Sequence, residues 1–154
     1  STFVKERRST EELHAKYVIG EELGHGATST VHRAVNRRTG QDVAVKAVCK
    51  AFVTDEQMLQ NEINIHKATD HPNILRLLET FEDDCKLYLV IELCAGADLW
   101  KYLTASMDEY SAVTLPEEEA LYLIHQVVNS VHYLHSRGIV HRDLKPESFM
   151  LQSP

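Results

Sequence analysis

Lys46 is the first residue whose surroundings suggest chemistry. It stands in the run Val43-Ala44-Val45-Lys46-Ala47-Val48, where the alternation of side chains along a β-strand places it on one face with Ala44 and Val48. A lysine among apolar neighbours is costly to bury unless an anion pairs with it. We therefore expect an anionic partner for this ammonium group.

Glu62 presents the complementary problem on a predicted helix. Its spacing from Met58 and Ile65 places an acid on an apolar stripe. If that helix packs on the sheet, the carboxylate of Glu62 meets the ammonium group of Lys46. For either residue alone, a surface charge whose aliphatic stem lies along apolar neighbours is the simpler interpretation.

A glycine-rich turn precedes both residues, in the run Leu23-Gly24-His25-Gly26-Ala27-Thr28-Ser29-Thr30-Val31. Glycines let the backbone approach a ligand closely, and the N–H groups of such a turn can face phosphate oxygens. Taken alone, the pattern usually means a plain hairpin. A dinucleotide-binding turn is excluded because no helix follows the glycines, and a Walker A loop because no Gly-Lys-Ser or Gly-Lys-Thr follows.

Five short β-prone runs must position these residues. They are Tyr17–Leu23, Thr30–Asn36, Gln41–Cys49, Ile74–Phe81 and Lys86–Leu93. Turn-forming residues separate them, so the first three strands are expected to form an antiparallel meander. Residues 1–16 are polar and are expected to be a leader outside the core.

Helices are predicted between and after these strands. Thr54 and Gln57 have the form of a capping box for a helix that ends near Ala68. A second box, Thr114 and Glu117, begins a long helix that ends near residues 136–138. A short helix at 98–105 and a link of small residues at 95–97 complete an α+β arrangement.

Composition limits the class of protein. The 154 residues are 44% hydrophobic and 25% charged, with a net charge of −7, which is ordinary for a globular protein and argues against nucleic acid as the main partner. No apolar run approaches the roughly 20 residues of a membrane-spanning helix. Three cysteines without a C-x-x-C pair fit reduced thiols, so a cytoplasmic protein is expected, with a nuclear one also open.

The strongest signal is the run His141-Arg142-Asp143-Leu144-Lys145-Pro146-Glu147-Ser148. With it, the chain resembles a eukaryotic serine/threonine protein kinase over about Tyr17–Met150. The glycine turn, the Lys46 strand, Glu62 and His71-Pro72-Asn73-Ile74 precede this run in the family's order. The sequence is also similar to the calcium/calmodulin-dependent group of kinases, including calcium-dependent kinases with attached EF-hands.

The resemblance implies a protein-kinase-like α+β fold. A five-stranded antiparallel N-lobe with one αC-type helix would occupy residues 17–95. A hinge, the first helices and the catalytic loop of an incomplete helical C-lobe would occupy residues 96–154. The chain contains no EF-hand loop, so regulation by calcium or calmodulin would act through parts outside it.

The resemblance also implies a binding site for ATP. Lys46 would hold the α- and β-phosphates and pair with Glu62. The backbone of Glu92 and Cys94 would hydrogen-bond the adenine, and Asp98 would face the ribose or the substrate. The other residues implied in nucleotide binding are those of the glycine turn from Leu23 to Val31, with Ala44, Ile91 as gatekeeper, and Met150.

For catalysis, the resemblance implies that Asp143 accepts the proton of the substrate hydroxyl and that Lys145 neutralises the γ-phosphate. Glu147 would meet a basic residue of the protein substrate. Ser148 stands where the family has an asparagine that ligates Mg²⁺, and a serine hydroxyl is a weaker ligand for a hard cation.

Three interpretations stay open at this point. The chain contains no Asp-Phe-Gly segment, which in the family supplies the metal-binding aspartate, so the 154 residues alone are expected to be inactive. They would then be part of a serine/threonine kinase whose remainder lies elsewhere. A pseudokinase or scaffold that binds nucleotide weakly is the alternative, and a plain α+β interaction domain is the third.

Overall fold

The chain forms one five-stranded antiparallel sheet with the strand order β1-β2-β3-β5-β4. In this computed structural model, which describes residues 8–105, 107 and 115–152, the strands are β1 (Tyr17–His25), β2 (Ser29–Asn36), β3 (Asp42–Cys49), β4 (Leu77–Glu82) and β5 (Lys86–Glu92). The predicted meander of the first three strands is confirmed. The α+β class with five antiparallel strands is confirmed as well.

Two tight turns hold the ends of these strands. The side chain of Asn36 accepts the backbone N–H groups of Arg38 and Thr39, and Gly40 takes the left-handed φ of +71° that the turn requires. Between β4 and β5, the carboxylate of Asp83 accepts the N–H groups of Cys85 and Lys86 at 2.8 and 2.7 Å. Burial alone would raise the pKa of Asp83, but these backbone bonds, together with the hydrogen bond from Tyr88 and the charge of Lys50, outweigh it, and the net shift is downward.

One face of the sheet carries the main core, which is built from fully buried side chains of several elements. Its members are Leu13, Tyr17, Ala34, Val43, Val45, Phe81 and Val90. The opposite face is covered by α2 (Glu56–Ala68), whose Ile63 packs with Leu87 and Val48. Alternation along β3 therefore divides its residues between two separate apolar clusters.

The orientation of α2 differs from the prediction. The N-cap of α2 is Asp55, whose carboxylate accepts the N–H of Met58. The predicted N-cap, Thr54, lies one residue earlier. Ile63 is 2% exposed, whereas Met58 and Ile65 are 54% and 40% exposed. The expected apolar stripe is thus the exposed side of the helix, because Ile63 and Leu59 form the stripe that packs on the sheet.

A short helix, α1 (Thr10–Lys16), precedes the sheet and corrects a second expectation. Its Leu13 is 1% exposed and belongs to the main core. The polar leader therefore does not lie wholly outside the core. A single leucine gives no periodic pattern, which is why the sequence did not reveal this contact.

The later part of the chain is helical. It contains α3 (Leu99–Ala105), α4 (Glu117–Ser136) and a 3₁₀ turn at Pro146–Ser148. Gly138, with a φ of +72°, ends α4 as predicted, and its N–H bonds to the carbonyl of His135. Thr114 of the second predicted capping box lies outside the described residues. On α4, Ile124 and Val128 are 59% and 55% exposed.

The backbone divides into two units. One takes in Ser1–Asp70 and Leu75–Leu93, and the other takes in His71–Ile74 and Cys94–Pro154. Within the described part of the chain, no helix combines the length and the apolar character that crossing a bilayer requires.

Candidate functional site

In the first unit, Lys46 lies in a row of three residues that face the same way. The register pairs Val31 of β2 with Lys46 of β3, and Lys46 with Leu89 of β5. Directly paired residues share a face, so Lys46 projects from the face that α2 covers, as Val48 does. This placement agrees with the alternation read from the sequence.

The ion pair expected between Lys46 and Glu62 is not formed in this structure. Glu62 is exposed, because it lies one position before Ile63, and a step of one residue turns a helix by about 100°. The Lys46 side chain has no ion-pair partner among the described residues. An unpaired, half-buried ammonium group is available to an anionic ligand.

The glycine turn between β1 and β2 is short and open. The N–H of Gly26 donates to the carbonyl of Ser29 at 2.7 Å, and His25 lies 3.1 Å from the carboxylate of Glu22. A Cβ added at Gly24 would meet nothing within 4 Å, and one at Gly26 only Ser29 at 3.7 Å. The packing of the turn itself does not require glycine at these positions, so a ligand that approaches the backbone is the better reason for them.

Ala44 and Ile91 are paired across β3 and β5, two positions along from Lys46 and on the same face of the sheet. Ala44 is 5% exposed. At the end of β5, Glu92 is tied to the chain before β4, since its N–H donates to the carbonyl of Arg76 and its carboxylate accepts the Arg76 N–H at 3.0 Å. The N–H of Glu92 is thus already used.

In the second unit, two predicted site residues are brought together by backbone pairing. Asp98 and Met150 form an antiparallel bridge, flanked by hydrogen bonds from Leu99 to Phe149 and from Leu151 to Ala97. The sequence gives no signal for this pairing, which joins positions about fifty residues apart. Cys94 lies at the start of the same unit and is half-buried.

Asp98 also has a structural role that the sequence did not reveal. Its carboxylate accepts the N–H of Lys101 at 2.9 Å and lies 3.1 Å from the ammonium group of the same residue. The backbone hydrogen bond, more than the charge, lowers the pKa of Asp98. Asp98 therefore caps α3, whatever ligand it also contacts.

The segment His141–Ser148 places a carboxylate and an ammonium group side by side. Lys145 Nζ lies 2.8 Å from Asp143 Oδ2, and the Asp143 N–H donates to the His141 ring at 3.3 Å. The hydrogen bond from Lys145 lowers the pKa of Asp143, and that same bond raises the pKa of Lys145. Arg142, between His141 and Asp143, has a φ of +67°, a strained value for a residue with a side chain.

Ser148 closes this segment through its side chain. Its hydroxyl donates to the carbonyl of Asp143 at 3.1 Å, and its N–H donates to the carbonyl of Lys145 at 2.9 Å. Glu147, which precedes Ser148 in the same 3₁₀ turn, is exposed. No group of three or more histidine, cysteine, aspartate or glutamate side chains suited to a metal is present in the described ranges.

Comparison with known proteins gives a consistent result. Residues 17–154 match the family described as Protein kinase domain. Sperm motility kinase 3A of Mus musculus is 40% identical over 140 residues, which cover 91% of this chain and 26% of that protein. Calcium-dependent protein kinase 5 of Plasmodium falciparum is 40% identical over 145 residues, 92% of this chain and 24% of that protein.

A third relative extends the calcium-linked group. Calcium/calmodulin-dependent protein kinase type 1 of Macrobrachium nipponense is 41% identical over 141 residues, 90% of this chain and 39% of that protein. The chain thus spans between about a quarter and two fifths of the length of these relatives.

Proposed function

The chain belongs to the protein kinase family, and from that membership we propose that its protein transfers the γ-phosphate of ATP to serine or threonine hydroxyls of a protein substrate. The pair formed by Asp143 and Lys145 is the single observation that carries the proposal. Its carboxylate is 71% exposed and can reach a substrate hydroxyl, while its ammonium group can balance the charge of a phosphate.

The first unit fits the nucleotide. The ammonium group of Lys46, which has no ion-pair partner among the described residues, supplies a cation between Val31 and Leu89. The glycine turn leaves its backbone accessible. Ala44 and Ile91 add small and aliphatic surface of the kind that covers an adenine ring. We assign the phosphates to Lys46 and the adenine to this apolar surface.

Magnesium fits the described residues less well. Ser148 offers one hydroxyl oxygen, whose proton is already donated to the carbonyl of Asp143, and Asp143 itself is paired with Lys145. When bound, Mg²⁺ neutralises phosphate charge in this family. Within the described segment His141–Ser148, Ser148 offers one weak hydroxyl ligand beside the Asp143 carboxylate.

The presence of Ser148 in place of the family's asparagine favours a second candidate function. If Ser148 cannot replace the usual asparagine, the protein is a pseudokinase or scaffold that binds nucleotide weakly without transfer. For the 154 residues by themselves, we propose no peptide kinase activity, because no Asp-Phe-Gly segment is among them.

Regulation and location are also proposals. Two of the relatives are calcium-dependent or calcium/calmodulin-dependent by name, so we propose calcium-linked control through parts outside these 154 residues. We propose a cytoplasmic protein, since three cysteines without a C-x-x-C pair suit a reducing compartment.

The test compares ATP binding by this chain with phosphate transfer by the full-length protein. Titration calorimetry should show ATP binding that Lys46→Met weakens by about tenfold or more, with Lys86→Met, an exposed lysine of β5, as the matched control. In the full-length protein, Asp143→Asn should abolish transfer to a serine peptide. ATP binding with no transfer by the full-length protein would favour the pseudokinase.

A further inference from the structure

Residues 8–16 form a docked segment that precedes the part of the chain matched to the kinase family, which begins at residue 17. A helix of seven residues is not stable alone in water, so its contacts must maintain α1. Leu13 supplies the apolar part of those contacts, packed with Tyr17, Phe81 and Val90.

The segment is fixed at both ends by backbone hydrogen bonds. At its start, the N–H of Glu82 in β4 donates to the carbonyl of Arg8 at 2.9 Å. At its end, the N–H of Arg37 donates to the carbonyl of Lys16 at 2.9 Å, and the Arg37 side chain donates to the carbonyl of His14 at 3.1 Å. The segment therefore joins the last strand in the sheet order to the turn after β2.

The carboxylate of Glu79 binds the polar groups at both ends of the segment. Arg8 Nη1 lies 3.4 Å from its Oε1, Lys16 donates to the same oxygen, and the Tyr17 hydroxyl donates to Oε2 at 3.2 Å. The Glu79 side chain is only 18% exposed, so these interactions are less screened than surface ion pairs. One carboxylate on β4 thus binds Arg8 before α1, Lys16 at the end of α1 and Tyr17 at the beginning of β1.

The sheet order explains why this matters for β1. The strands β1 and β4 are the two edges, and each is hydrogen-bonded to one neighbouring strand only. Helix α1 contacts both of them. The pairing of β1 with β2 is also irregular, with register shifts between Ile19 and Glu22 and between Glu22 and Gly24. An edge strand with an interrupted ladder has few other constraints.

We propose that residues 8–16 are an intramolecular clamp that holds β1, and with it the glycine turn, through the Leu13 contact and the Glu79 carboxylate. Leu13 and Glu79 act as positioning residues, since neither lies in the turn. A consequence for ATP rests on the proposed function: a looser glycine turn binds the nucleotide more weakly.

The test is hydrogen exchange of the 154-residue chain, followed by mass spectrometry of peptides from β1–β2 and from β4–β5. Glu79→Gln keeps the volume of the side chain but removes its charge, and Leu13→Ala removes the apolar contact. Each should raise exchange in 17–31 by about tenfold or more while β5 changes little. Glu11→Gln, at an exposed position on α1, is the matched control and should change neither region.

The outcomes separate the clamp from general stability. An equal rise across the whole sheet in both variants, or no rise in 17–31 with Glu79→Gln, would overturn the clamp. If Leu13→Ala does not fold, Glu79→Gln alone decides. ATP affinity is measured on the same samples: failure of the parent chain to bind ATP would count against the proposed function and leave the exchange result to judge the clamp.

Discussion

Lys145 Nζ lies 2.8 Å from Asp143 Oδ2, yet the two side chains are 51% and 71% exposed. Water screens such a pair, so it adds little to folding stability. Its main effect is on protonation. The pair lowers the pKa of Asp143 and raises the pKa of Lys145, so it widens the pH range over which both groups are charged, as the proposed transfer chemistry requires.

We first predict that removal of the lysine changes the titration of the aspartate. The hydrogen bond from Lys145 lowers the pKa of Asp143, so Lys145→Met should move the carboxyl midpoint upward. Carbon-detected NMR of the Asp143 carboxyl across acidic pH measures this. Lys101→Met, which affects Asp98 instead, is the control, and an unchanged Asp143 midpoint in Lys145→Met would contradict the pairing.

The sign of the accompanying stability change follows from the direction of each shift. The contribution of Asp143 is present above the unfolded pKa of its carboxyl and is lost as the pH falls through the lowered folded value. The contribution of Lys145 is present below its unfolded pKa and is lost as the pH rises through the raised folded value. At neutral pH both are fully present.

The second prediction concerns the two faces of α2. Ile63→Ala should lower the free energy of unfolding by about 2–5 kcal/mol, because it removes a fully buried side chain. Glu62→Gln should change it by no more than about 0.5 kcal/mol, as expected for an exposed position. Chemical denaturation of both variants gives the comparison, with Ile65→Ala at the 40% exposed position as control. A large loss with Glu62→Gln would indicate a buried partner for that carboxylate.

These faces also show how far the sequence could predict the molecule. The strands, the order of elements and the end of α4 at Gly138 follow from local patterns such as alternation and turn residues. The face that α2 presents does not, because Met58, Ile63 and Ile65 are all apolar and several stripes can be drawn through them. Packing against Leu87 decides between those stripes, and Leu87 is more than twenty residues away.

The candidate site, like the fold, could be predicted from the sequence only in part. The residue types and their order indicated Lys46, the glycine turn and Asp143 without coordinates, and the register of β3 agreed with the predicted face of Lys46. The bridge between Asp98 and Met150, the contact of Ser148 with Asp143 and the docking of Leu13 depend on backbone geometry or distant pairing. Local patterns carry no information about such contacts.

The third prediction is late ionisation of two tyrosines. Burial, followed by the charge of Glu79, raises the pKa of Tyr17 to about 12, and burial, followed by the bond to Asp83, raises that of Tyr88 to about 12. The folded state favours the neutral phenols, so their contribution to stability is complete below about pH 10 and is lost as the pH rises toward 12.

Ultraviolet absorbance of tyrosinate against pH measures this directly. Two of the chain's 6 tyrosines, Tyr17 and Tyr88, should ionise near pH 12. Each of the variants Tyr17→Phe and Tyr88→Phe should remove one tyrosine from this late part of the titration curve. Tyr122→Phe, at a residue that is 66% exposed, should leave the late part of the curve unchanged. Complete titration of the parent protein near pH 10 would show that these hydroxyls are neither buried nor in contact with their carboxylate partners.

The fourth prediction addresses Ser148. Its hydroxyl donates to the carbonyl of Asp143, so its oxygen is the only part left for a cation, whereas an asparagine would add a carbonyl on a longer side chain. In the parent chain, ATP binding should therefore be weak and only slightly improved by Mg²⁺. Ser148→Asn should increase the improvement that Mg²⁺ gives by about threefold or more, corresponding to roughly 0.7 kcal/mol.

Calorimetric titration of ATP with and without Mg²⁺ separates these cases. Ser148→Ala is the control, because it removes the hydroxyl without adding a ligand, and its Mg²⁺ response should equal that of the parent or fall below it. Tight and strongly Mg²⁺-dependent binding by the parent would mean that the serine oxygen, together with water, suffices as a ligand. Such a result would remove the main physical reason for the pseudokinase alternative, since Ser148 would then perform the part that asparagine has in the family.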